Sequence, residues 1–281
     1  MSIFKSILVV TLILFKVTCY ADLKISTPGD HDTVLRALLP KAIIIQKPGG
    51  EGILAINSLK AGDTNLLSLG TSALLVAPTA IEKYPIDIEK ELEVVTILAE
   101  TPVLLVSKKD RYNSLDVAFK KNTKVVYVGG YGNISTCAVA TNLLRKKLPI
   151  EVVYVPYKNI SQLIVDTENS ILDITCLAAG FVDYNRMTVL ANLGSANIGY
   201  YKIPGFPEIN VRFFLLSNKN LDNTLYSDIM ETLQKNQKQF NITNIYTVIS
   251  DKQLTKQMVD KDTIFWKTEL QDLLKYNKSR P

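Results

Sequence analysis

Short apolar runs alternate with stretches of helical period along most of the chain. Residues 23–26 and 42–46 read as strands, and between them Val34, Leu35 and Leu38 fall on one face of a helix over 33–39. A helix over 53–59 and a strand over 65–69 repeat the pattern, and that strand runs into the turn sequence GTSALL. Two apolar runs follow, 94–98 and 103–106, with Thr101 and Pro102 between them. A second alternation then begins: helix 115–119, strand 124–128, helix 135–147, strand 151–155, helix 160–167 and strand 171–176. From Leu221 onward the chain is more polar, with amphipathic helices expected over 221–240 and 264–276 and a short strand over 247–249. These last elements are expected to cover an existing lobe rather than to form a third domain.

Strand–helix alternation is the pattern of a mostly parallel sheet flanked by helices, so the fold class is α/β. Two successive sets of it predict two such lobes with a ligand cleft between them. The runs 103–106 and 213–217 are the expected crossings of the chain between lobes. The division is then residues 22–102 with 221–281 in one lobe and 103–220 in the other.

The N-terminus changes the picture by setting the compartment. Lys5 precedes the apolar run 7–15, and the small residue Ala21 stands before the polar Asp22. This is the layout of a secretory signal peptide over residues 1–21, cleaved after Ala21, and the run is too short for a comfortable membrane span. An uncleaved anchor and a lipid-modified Cys19 are the alternatives, and Lys16, Val17 and Thr18 fit lipid attachment poorly. No later stretch of spanning length is free of charges, so an exported, soluble protein is expected. Without residues 1–21, which hold Lys5 and Lys16 and no acid, the balance of 32 basic and 27 acidic residues falls from +5 to +3. Dispersed charge of that size is no argument for a nucleic-acid partner. Of the cysteines only Cys137 and Cys176 remain after cleavage, and export makes a disulfide chemically possible without saying that the two meet.

The densest candidate chemistry is VGGYGNISTCAV, residues 128–139, a glycine-rich turn between an expected strand and an expected helix. It resembles a dinucleotide fingerprint only in part, and the next strand, in VYVPYKN, ends without the acidic residue that a ribose calls for. What remains is a loop that brings backbone N–H groups close to a ligand at a helix N-terminus, with Asn133, Ser135 and Thr136 as further donors. The plainer reading is a helix cap and nothing more. PGDHDT (28–33) and GTSALL (70–75) also stand between a strand and a helix, and three such loops facing one crevice favour a small-molecule site.

His31, the sole histidine, lies between Asp30 and Asp32. A metal reading lacks a second histidine, and successive loop residues seldom converge on one ion, so the loop is read as ligand-lining or solvated. No G-x-S-x-G elbow is present, and a thiol enzyme built on Cys137 would need that same histidine across the cleft. No catalytic residue, metal or cofactor is therefore expected. Trp266 reads as a packing anchor, and Tyr157 as lining either the cleft or a lobe's edge.

The motifs KPGGEG (47–52), LLSLGTSALLVAP (66–78), VVYVGGYGNIS (125–135), VVYVPYKN (152–159) and IPGFPEI (203–209) occur in an order that resembles the solute-binding proteins of tripartite tricarboxylate transporters, the Bug family. The resemblance implies a type II periplasmic-binding-protein fold whose two lobes close over a small carboxylate-bearing solute. It implies ligand contacts from Pro28, Gly29, Asp30, His31, Asp32 and Thr33, from Thr71 and Ser72, and from Tyr131, Gly132, Asn133, Ile134, Ser135 and Thr136. It further implies delivery of the solute to membrane permease subunits by a monomeric binding protein. A solute sensor presenting its ligand to a membrane receptor is the second reading, and an enzyme on the same scaffold the third.

Three departures from the family pattern stand out. The first loop carries Asp30, His31 and Asp32 where a glycine run is usual, which makes an amino acid as reasonable a solute as an organic acid. Leu177 and Ala178 replace a usual polar pair, so the ligand wall at Ala178 is missing or rebuilt. In the implied fold the strand ending at Cys176 lies beside the one ending at Val128, below the helix that holds Cys137. The resemblance thereby implies a Cys137–Cys176 disulfide.

Overall fold

The computed structural model of the protein describes residues 23–29, 32–48, 52–61, 63–72, 86–121, 124–148, 150–219, 221–240, 247–249 and 251–279. Ten strands form within them: β1 Lys24–Thr27, β2 Ile43–Gln46, β3 Leu66–Thr71, β4 Leu92–Lys108, β5 Val125–Tyr131, β6 Glu151–Tyr157, β7 Ile174–Ala178, β8 Met187–Asn192, β9 Asn210–Asn218 and β10 Thr247–Ile249. The helices are α1 Asp32–Leu38, α2 Ile53–Asn57, α3 Ile88–Glu91, α4 Leu115–Lys121, α5 Thr136–Lys147, α6 Ile160–Glu168, α7 Asn223–Phe240 and α8 Lys252–Ser279.

The strands run in the order β2-β1-β3-β9-β4-β7-β5-β6, with β8 and β10 both paired to β4. At one end β2, β1 and β3 are parallel, and at the other β7, β5 and β6 are parallel. Between them β9 and β4 run antiparallel to their neighbours. The sheet is thus mixed, its parallel parts confined to the outer three strands of each half.

The two apolar runs expected around Thr101 and Pro102 are one strand of 17 residues. From Leu92 to Pro102 it pairs with β9, and from Val103 to Lys108 with β7 and β8. Pro102, which has no N–H to give to a ladder, sits where the strand changes partners. Phe213, Phe214, Leu215 and Leu216, in the run expected to carry the return crossing, pack in the apolar clusters of the first half, Ile209 packs with Val103 and Leu193 in the second, and Val211 packs against clusters of both.

The last helix is longer than its apolar pattern. Its buried positions include Thr255 and Asp262 as well as Trp266, Leu270 and Leu273, so the polar residues on its inner face conceal the first turns from a reading of hydrophobic period. Met258 and Val259 pack against the first half, and Trp266, Leu270 and Leu273 belong to the core of the second. The helix straddles both. Among the described residues no helix is long and apolar enough to cross a membrane.

Candidate ligand-binding site

Parallel strands bring their C-terminal ends to a common edge, and open α/β sheets bind ligands there. Here both halves do so around one cavity of about 100 Å³. Pro28 follows β1, Thr71 closes β3, Tyr131 closes β5 and Ala178 closes β7, and all four line it. Gly132, Ile134, Ser135, Thr136 and Cys137 line it from the turn into α5. Ile160, Cys176, Leu177, Phe181, Val211 and Phe213 complete the wall.

The turn before α5 is shaped by its glycines. Gly132 has φ +74°, a left-handed conformation that side chains resist. A Cβ on Gly130 would lie 2.7 Å from the Cys137 Cβ and 2.8 Å from the Tyr154 ring, so only glycine lets β5 approach the first turn of α5. Ser135, in extended conformation, caps the helix: its Oγ accepts from the Ala138 N–H at 3.1 Å. The Tyr154 hydroxyl donates to the Gly132 carbonyl at 2.7 Å and lies 3.2 Å from Ser135 Oγ, tying the turn to β6. With Ala138 capped and Val139 bonded to the Ser135 carbonyl, the amides of Thr136 and Cys137 are the first-turn donors that helix geometry leaves without an intrahelical acceptor. They stand at the positive end of a 12-residue helix, in the cavity wall.

Cys137 and Cys176 form a disulfide with their Cα atoms 5.6 Å apart, joining the first turn of α5 to β7. A sulfur held in this bond is no nucleophile, so the thiol-enzyme reading loses its thiolate.

Of the residues expected at the site, Pro28, Thr71, Tyr131, Gly132, Ile134, Ser135, Thr136 and Ala178 line the cavity. Gly29, which follows Pro28 with φ +147°, is outside the lining, as is the exposed Asn133. Asp32 and Thr33 open α1, and Asp30 and His31 lie outside the described residues, as does any reading of them as metal ligands. Ser72 differs from the expectation. It is buried with its Oγ donating to Asp262 at 2.9 Å, so its hydroxyl is committed to the protein rather than turned to a solute.

Ile160, Phe181, Val211 and Phe213 also line the cavity and are not among the expected contacts. A signal existed for two of them: Val211 and Phe213 are two apart on a strand, hence on one face. The intervening Arg212 points the other way, into a buried network. It bonds Glu100 and Asp262, and Asp262 in turn accepts from Ser72. Burial works against the Arg212 charge, and the bonds and charges of Asp262 and Glu100 outweigh it, so its pKa is raised. One strand therefore presents an apolar wall to the cavity and a charged back to the last helix.

The model of the tripartite tricarboxylate transporter family receptor matches residues 31–211. The chain belongs to this family. The matched span holds the receptor's turn before α5, the ends of β3, β5 and β7, and Val211. Solved structures share the receptor's fold at low identity. An R. palustris protein with adipate has a TM-score of 0.80 at 14% identity, covering 90% of this chain and 97% of its own. The periplasmic binding protein BugD has a TM-score of 0.74 at 14% identity, covering 89% and 97%. MatC from Rhodopseudomonas palustris, with bound malate, has a TM-score of 0.72 at 17% identity, covering 90% and 98%. No curated protein sequence matches the receptor significantly.

Proposed function

We propose that this receptor captures a small carboxylate-bearing solute in the cavity between its lobes and delivers it to the membrane subunits of a tripartite tricarboxylate-type transporter. The observation that carries the reading is the meeting of four strand ends, two from each half, with the N-terminus of α5 around one cavity. In this reading the carboxylate accepts from the amides of Thr136 and Cys137, with the Thr71 and Thr136 hydroxyls as further donors. The lobes divide at Pro102 and again just before Asn210, the last helix serving both, and they close over the solute by bending at these two crossings. A single chain supplies both jaws, so a monomer suffices. The bound malate and adipate of the two Rhodopseudomonas structures support the solute class. The same account has the chain exported to the periplasm by residues 1–21, with cleavage after Ala21.

A thermal-shift screen against organic acids and amino acids tests it, since a ligand that binds only the folded state raises the unfolding midpoint. At least one carboxylate is expected to raise it in a saturable way. A panel with no such compound would overturn the proposal.

A further inference from the structure

We infer that the solute is a monocarboxylate with a short apolar body. This rests on the carboxylate reading above and narrows it. Besides Thr136 and Cys137 the lining holds Ile160, Leu177, Phe181, Val211 and Phe213, and Ala178 ends β7 without a polar group. Among the described lining residues no side chain carries a formal charge.

A second carboxylate placed against that wall loses its hydration and meets aromatic and branched carbons instead. Such a transfer is costly unless the charge is paired. The ammonium of an amino acid meets the same cost, because the described lining offers it no carboxylate. An apolar body gains from the same surface. Size limits that body: at about 100 Å³ the cavity is smaller than the roughly 150 Å³ apolar cavity that holds benzene. One anionic end at the helix and one hydrocarbon end at Phe181 and Phe213 is the shape that matches both walls.

Calorimetric titration of the purified protein with butanoate, isovalerate, hexanoate, malate, adipate and leucine tests this. Each methylene added to butanoate is expected to tighten Kd about fourfold until the cavity is full. Malate and leucine are expected to bind at least about tenfold more weakly than isovalerate. Tighter binding of malate or adipate than of the three monocarboxylates would overturn the inference and leave the carboxylate receptor standing. Tighter binding of leucine than of isovalerate would overturn it in favour of a zwitterion. Binding by none of the six overturns the monocarboxylate inference, and the proposed function is then decided by the wider thermal-shift panel. Adding an amide to the wall with Ala178→Asn is expected to weaken isovalerate about tenfold, the unchanged unfolding midpoint of the ligand-free variant showing that it folds.

Discussion

A single hydrogen or methyl group decides much at the turn before α5. Gly130 has no room for a Cβ between Cys137 and Tyr154, so Gly130→Ala overpacks the junction of β5 and α5. It is expected to cost about 1–3 kcal/mol in denaturant unfolding and to weaken ligand binding, because the amides of Thr136 and Cys137 move with the helix. The VGGYGNIS motif is legible as a glycine turn and cap from its residue types alone. That Tyr154 holds the turn is not, because nothing in VVYVPYKN distinguishes a tyrosine that bonds a carbonyl from one that faces water. Tyr157, three residues on, donates to Asp166 at 2.7 Å, and burial followed by that bond pushes its phenol up to about 12. The folded state thus keeps a proton that the unfolded chain releases near pH 10, so this contribution to stability is complete below about pH 10 and is lost as pH rises toward 12. Unfolding free energies measured over that interval are expected to fall more steeply for the wild type than for Tyr157→Phe; parallel slopes would show the phenol to be unperturbed.

Among the elements, α5 and α8 carry the functional geometry, and they differ in how far the sequence reveals them. The helix α5 is announced by its cap, and its disulfide closes a loop with a sequence separation of 39. Removing the bond by replacing both cysteines with alanine is expected to lower stability by about 2–4 kcal/mol. Mass spectrometry of the alkylated protein without reductant is expected to find neither Cys137 nor Cys176 labelled, and labelling of both would remove the bond from the account. The first half of α8 is hidden because the residues it buries include Thr255 and Asp262, which hydropathy counts as surface. Asp262 holds Arg212 and Ser72 together behind the cavity wall. Truncation to alanine leaves a buried guanidinium with Glu100 as its remaining acid among the described residues, so Asp262→Ala is expected to cost about 3–5 kcal/mol. A loss below 1 kcal/mol in a denaturant titration would show that the network is replaceable by water.

At the scale of the molecule, two rounds of strand and helix were enough to read two α/β halves, because parallel strands with covered faces need that alternation. The crossings were harder. A strand that serves both halves looks like two strands when Thr101 and Pro102 interrupt its apolar run, and only its pairing, first with β9 and then with β7 and β8, shows it to be one. The apolar part of the cavity wall is hidden for a related reason: Phe213 belongs to a fully buried run, FFLL, in which a cavity-facing residue has the same signature as a core one. We propose above that α5 and the ends of β1, β3, β5 and β7 hold a carboxylate in the cavity between the halves. A crystal structure of the protein with the acid that raises its unfolding midpoint most tests this directly. Carboxylate oxygens are expected within hydrogen-bonding distance of the Thr136 and Cys137 amides, with the rest of the solute against Phe181 and Phe213. A carboxylate bound instead to lysines on the outer surface, with the cavity holding only water, would contradict it.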